Sequence, residues 1–317
     1  MSTVAVDAEK RVTFGELFFD LVFVFAVTQV SGLLHHDYGW AGLGRALLVF
    51  VPIYWAWVGT SVYANLRDAD RPVDRVGMFG VGLCGLVMAM AVPDVFGALG
   101  VWFGAAYFVA RVLLALLMFR DAHVFGGQYS VGAFVTGPLL LVGGMLPPGA
   151  RVAVWAVAAV VDLATPTLFR RRLSRLNFDA GHLAERFGLL VIIALGESVV
   201  AIGLSASATH QMNAARLVAV GLAFGLAAGL WWVYFHFASS AIRHAVATAQ
   251  VQIDVVRHVL SYGHLSFIAG IIATTVGFGA VVAHPGEPLS AGLAGLLVGG
   301  CALYLATFGY TRWRMFR

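Results

Sequence analysis

The chain has 317 residues, of which 60% are hydrophobic and only 11% charged, with a formal net charge of +4 and a mean hydropathy of +0.87. Soluble domains carry about 25% charged residues, so a water-soluble enzyme, a disordered tail and a disulfide-rich secreted module are all excluded. Cys84 and Cys301 lie in apolar runs and offer neither a disulfide framework nor a CxxC metal pair. The basic residues fall between apolar runs, where they read as topology signals rather than as a nucleic-acid surface.

About 20 apolar residues are needed for one crossing of the hydrocarbon layer. Ten segments qualify: 14–34, 41–64, 76–97, 101–119, 131–147, 151–169, 183–206, 214–238, 255–279 and 289–310. They predict an all-α polytopic transmembrane helix bundle of about ten spans, one integral membrane domain over 1–317, entered from a cytoplasmic segment, 1–12.

Span 1 begins Arg11-Val-Thr-Phe-Gly-Glu16-Leu-Phe-Phe-Asp20. Its internal acids argue against a cleavable signal peptide. Glu16 and Asp20 are four apart and share a helix face, where like charges repel unless a cation or proton intervenes. Pro52, Pro93, Pro138 and Pro166 lie in or near spans 2, 3, 5 and 6, and each can free a carbonyl from the helix ladder. Span 4 contributes Arg111 and span 6 contributes Asp162. At about 1.5 Å per residue, Asp20, Arg111 and Asp162 all lie roughly 9–12 Å inside the cytoplasmic edge. One cation between two carboxylates would leave a surplus negative charge, which a proton or a transported cation would compensate.

Span 7 opens His182-Leu-Ala-Glu185-Arg186 and continues to Glu197-Ser198. Glu16, Glu185 and Arg186 lie near enough to the cytoplasmic face to read equally as anchoring residues. Glu197 is deeper, about 20 Å along its span, with no arginine expected at that depth. His264 in span 9 is its nearest partner by depth, and Glu197 is expected to carry any proton or cation dependence. In span 8, Gly221, Gly225 and Gly229 repeat every fourth residue, as Gly295 and Gly299 do in span 10. The spacing suits packing within the bundle or a seam between two copies. Span 9 adds His258, Tyr262 and His264.

Fifteen of the twenty basic residues fall at the termini or in the connections after spans 2, 4, 6 and 8. Positive-inside bias then places both termini in the cytoplasm of a bacterial inner-membrane protein.

Three stretches resemble the bacterial low-temperature-requirement A (LtrA) family of membrane proteins. They are Arg11…Glu16-Leu-Phe-Phe-Asp20, His182-Leu-Ala-Glu185-Arg186-Phe-Gly188…Gly196-Glu197-Ser198, and Tyr262-Gly-His264…Gly270. The resemblance implies a polytopic fold, a link to growth in the cold, and relatives that are commonly longer at the C-terminus. Placing Glu16 on Glu185 also aligns Phe18 with Phe187, Val22 with Val191 and Val30 with Val199. That echo fits a parallel six-helix repeat, truncated in its second copy.

Two functions of different class fit these residues, besides a receptor or scaffold that uses its charges for helix pairing alone. One is a transporter or channel for a small ion or polar solute, linked to protons, built on Arg11, Glu16, Asp20, Arg111, Asp162, His182, Glu185, Arg186, Glu197, Ser198, Tyr262 and His264. The other is an intramembrane enzyme acting on a lipid or isoprenoid through a metal held by some of His182, Glu185, Asp254, His258 and His264, although no HExxH pair is present. Membrane lipid and a small ion are the expected partners, with a homo-oligomer through Gly221, Gly225 and Gly229. No cofactor is expected. A retinal Schiff base is excluded, because the sole lysine, Lys10, precedes span 1.

Overall fold

The structure, a computed structural model, describes residues 10–67, 71–119, 125–208 and 213–316. Asp70, Arg120, Arg317 and residues 1–9 of the N-terminal segment lie outside the described residues. Thirteen α-helices follow in order: α1 (Phe14–His36), α2 (Trp40–Leu66), α3 (Pro72–Ala91), α4 (Gly100–Met118), α5 (Gly137–Met145), α6 (Pro148–Leu168), the short α7 (Arg170–Leu173), α8 (Ala180–Ser207), α9 (Ala214–Trp232), α10 (Ser239–Thr248), the short α11 (Gln252–Val255), α12 (His264–Ala283) and α13 (Ala291–Met315). There is no strand among the described residues, and nine helical stretches there are long and apolar enough to cross a membrane. The protein is an all-α, multi-pass membrane bundle.

Local sequence explains where the helices start. Thr13 and Glu16 form a reciprocal capping box on α1. Asp179 caps α8 by accepting the His182 N–H, and Asn213 caps α9 through the Arg216 N–H. Pro72 and Pro148 open α3 and α6 at a position where no helical N–H is needed. Two π-helical segments, Val233–Ala238 and Val256–Gly263, join α9 to α10 and α11 to α12. The eighth and ninth spans therefore run Ala214–Thr248 and Gln252–Ala283, longer than the apolar runs alone predict.

The fifth expected span differs most from its reading. Its regular helix, α5, has only 9 residues, preceded by π-helical turns at Phe125–Tyr129 and Gly132–Thr136. The whole stretch nevertheless runs antiparallel along α4. Gly132 lies against Arg111, Gly137 against Phe108, Gly104 against Leu140 and Gly144 against Gly100, so closely that a Cβ at each glycine would come within 2.1–2.7 Å of its neighbour. Arg151 at the start of α6 donates to the carbonyls of Val95, Gly97, Gly144 and Leu146, which puts the α3–α4 and α5–α6 connections at one end of the bundle. The stretch thus lies along α4 from Arg111 to Gly100, built from π and α pieces.

α2 is the axis. Every residue from Val49 to Asn65 is buried, so this helix touches protein on all sides while its neighbours keep a lipid-facing flank. α1 and α8 run parallel beside it in nearly constant register, each hydrogen bond or ion pair between them linking residues 166 to 173 apart in the chain. α1 packs on α2 and α3, and α3 on α4; α8 repeats that order with α9, α12 and α13.

The glycines divide by role. Gly263, Gly270, Gly277 and Gly300 sit in the α12–α13 seam, where an added Cβ would meet the partner at 2.5–2.8 Å. Gly221, Gly225 and Gly229 do not pack within the chain, because a Cβ at any of them meets nothing within 4 Å.

Candidate functional site

Three helices, α1, α2 and α8, meet where α1 and α8 begin. Glu16, Asp20, His182 and Arg186 are 0–2% exposed. The Arg186 guanidinium donates to Asp20 Oδ2 at 2.9 Å and to Ser61 Oγ at 3.2 Å, and its Nε stands 3.8 Å from Glu16 Oε1. Asp20 Oδ1 accepts the Trp57 indole N–H at 2.8 Å. The Trp57 ring also lies under the guanidinium, 5.4 Å from centroid to Cζ.

The state of His182 follows from its neighbours. Asn65 accepts the Asp179 N–H through Oδ1, which turns its Nδ2 toward His182 Nδ1 at 3.1 Å. Nδ1 must then accept, so the ring proton is on Nε2, which donates to Glu16 Oε1 at 2.9 Å. Glu16 Oε2 accepts from the Thr13 N–H and hydroxyl, so both carboxylates are surrounded by donors. One guanidinium therefore faces two carboxylates in a buried site.

Of the two carboxylates expected within reach of Arg111, Asp162 is there and Asp20 is not. Arg111 lies on the other side of α2, 3.5 Å from Asp162 Oδ1, and donates also to the Gln128 carbonyl at 3.2 Å. Tyr107 and Thr136 donate to Asp162 as well. Pro166 lacks the N–H that would reach the Asp162 carbonyl four residues back, and the Thr165 hydroxyl supplies a donor there at 2.7 Å. Asp20 shares Arg111's depth but belongs to the Arg186 group, because α2 stands between them.

The remaining predicted residues disperse. Arg11 and Glu185 are exposed, and Glu185 accepts the Val12 N–H at 3.3 Å. They line a cleft of about 640 Å³ with Gly188, Ser239, Ser240 and Arg243, beside the start of α8. Arg186, which depth allowed as an anchoring residue, is wholly buried. Glu197 is buried and accepts from the Thr28 hydroxyl at 2.5 Å, while Ser198 bonds Thr275 at 2.6 Å. His264 is not its partner. His264 Nε2 accepts from Tyr234, and Nδ1 faces the Val259 and Leu260 carbonyls. Tyr262 donates to the Leu163 carbonyl and stacks on Trp55.

The five residues weighed as metal ligands do not converge. His182 is on Glu16, His264 on Tyr234, and Asp254 on Arg170 and Arg257. No group of three metal-ligating side chains occurs among the described residues. Outside the spans, the hydrogen bonds that Arg170 donates to Asp254, and then the charge of that carboxylate, push the Arg170 pKa up from its ordinary value.

Sequence reasoning missed Trp57, Ser61, Asn65, Tyr107, Thr136 and Tyr234. The first three form an i, i+4, i+8 polar stripe on α2, and that spacing was the available signal.

The family model described as Bacterial low temperature requirement A protein (LtrA) matches residues 11–317. An uncharacterized protein of Rhizobium meliloti (strain 1021) is 34% identical over 313 residues, covering 94% of this chain and 76% of its own. No solved structure matches.

Proposed function

The chain belongs to the bacterial low temperature requirement A (LtrA) family, and from the charges that α1 and α8 bring together we propose that it carries a small cation, a proton in the simplest case, across the bacterial inner membrane. The observation that carries this reading is that two buried carboxylates, Glu16 and Asp20, face the single guanidinium of Arg186, with His182 against Glu16. Ionisable groups inside a bilayer are expensive, and a group with one charge left over is the usual design of an ion or proton station.

Glu197 makes a second station farther along the same seam. Between Asp20 and Thr28 the seam is closed by Phe23, Ala26 and Val27 from α1 and by Leu190, Val191 and Ala194 from α8, all buried. Eight residues of helix make that barrier about 12 Å long, which favours a stepwise carrier over an open channel. The cleft at Arg11 and Glu185 is the approach from the end where the N-terminus lies. The distribution of basic residues supports a cytoplasmic position for that end. The link to low temperature in the family's name attaches to this chain as part of the same proposal.

Proteoliposomes holding a pH-sensitive dye test it. An imposed pH gradient or potential should drive proton or alkali-cation flux, and Asp20→Asn or Glu16→Gln should slow it at least tenfold. Glutamine at 16 keeps the capping box, so helix content should be unchanged. No flux under either gradient, or full flux in both variants, rejects the reading and leaves the charges as helix-pairing groups.

A further inference from the structure

A slot of about 530 Å³ lies between α1, α2, α12 and α13, far from the charged cluster. One end is at the α1–α2 connection, where the Tyr38 ring lies against Gly292 at the start of α13. From there it follows Trp40 to Phe50 on α2 and Gly292 to Leu303 on α13. Ten or eleven residues of helix make it about 15–16 Å long, parallel to the spans.

Its floor is apolar and buried: Phe50, Ile272 and Ala273 are 3%, 3% and 7% exposed. Its lips are exposed along their whole length, from Trp40 at 90% through Leu47 at 39% to Leu303 at 42%. The slot therefore opens sideways, and its lining continues the lipid-facing surface of α2 and α13. Gly295 and Gly299 border it, and a Cβ at either meets nothing within 4 Å. These glycines thus leave width in the slot and make no helix contact. Trp40 and Tyr38 at the end stand where aromatic residues meet the headgroup level.

We infer that this slot is a binding site for one acyl chain of a bilayer phospholipid, lying along the helices with its headgroup beside Tyr38 and Trp40. The volume falls within the roughly 300–1,000 Å³ range of ligand pockets, and the shape is long, narrow, apolar and open only to the hydrocarbon.

The test uses the full chain in bilayers of phosphatidylethanolamine and phosphatidylglycerol, with a phosphatidylglycerol bearing a diazirine midway along one acyl chain. After irradiation, mass spectrometry should find label at Phe50 and Ile272 as well as at the openly lipid-facing Leu222. Gly299→Leu fills the slot and should lower labelling at Phe50 and Ile272 at least fivefold while leaving Leu222 unchanged. Gly295→Leu, one turn away, is the second filling variant if the first does not fold. Absence of label at both floor residues in the unmodified protein overturns the inference. So does labelling that neither filling variant changes. A purified dimer that Gly299→Leu converts to monomer, with floor residues never labelled, would give the slot to a second copy instead.

Discussion

Arg186 on α8 and Asp20 on α1 meet at 2.9 Å with both side chains out of reach of solvent, 166 residues apart in the chain. The contact ties the two parallel helices together at the level where α2 presents Trp57 and Ser61. Removing one partner of a buried ion pair strands the other, a loss of about 3–5 kcal/mol. Arg186→Met should therefore lower the Tm in detergent sharply. Adding Asp20→Asn should restore part of the loss, and a double variant no more stable than the single would deny the coupling.

The Arg111–Asp162 pair shares no hydrogen-bond partner with the Arg186–Asp20 pair, and α2 separates them. Sites without shared partners add within about 0.5 kcal/mol. Asp162→Asn and Asp20→Asn should thus have additive effects on unfolding. A coupling energy clearly above that value would show one network spanning α2.

Glycine substitutions should divide by position. At Gly104 a Cβ would lie 2.2 Å from the Leu140 carbonyl oxygen, so Gly104→Ala must push α5 away from α4 and lower the Tm. At Gly225 there is open space, so Gly225→Ala should be neutral or gain up to about 1 kcal/mol in helix propensity. Size-exclusion with light scattering on Gly225→Leu then reports on oligomers: dissociation of an assembly would identify the α9 stripe as its seam, and an unchanged mass would remove it.

Lys10 closes the end of α2. Its ammonium donates to the carbonyls of Ala64, Asn65 and Arg67, the unpaired acceptors of a helix C-terminus, and its backbone N–H reaches the Asp179 carboxylate that caps α8. Acylation of Lys10 should be at least tenfold slower in the folded protein than after denaturation. Peptide mapping separates it from the terminal amine. Equal rates would mean that this segment is not docked.

Single cysteines test the orientation. Gly39, Ala208 and Gly286 in connections and Pro148 at the start of α6 lie at one end of the bundle, and Ser174 at the other. An impermeant thiol reagent applied to intact cells should reach the first four and not Ser174, in a background with Cys84 and Cys301 replaced. The opposite pattern would invert the protein in the membrane.

The helices were legible because hydrocarbon demands long apolar runs, and depth along each helix correctly put Asp20, Arg111 and Asp162 at one level. Depth does not give direction around a helix. Asp20 therefore drew Arg111 as a partner on paper, whereas α2 stands between them and Arg186 is the neighbour. Glu197 and His264 fail to pair because Tyr234 and the Val259 and Leu260 carbonyls occupy the histidine. Trp57, Ser61 and Asn65 escaped notice because none carries a charge, and their value lies in hydrogen-bonding to groups on other elements. The irregular turns before α5 were also invisible, since hydropathy measures apolarity and not ladder geometry.

The 166-residue interval between Asp20 and Arg186 also has a meaning during synthesis. At about 5–20 residues per second, α1 leaves the ribosome roughly 10–30 s before the arginine that neutralises it. His182 trails Glu16 by the same interval. Throughout that time the nascent first half holds two acids with no counter-ion, and the insertion machinery has to shelter that face from lipid. A polypeptide released before α8 would display it, a plain mark of an unfinished product for a membrane protease to recognise.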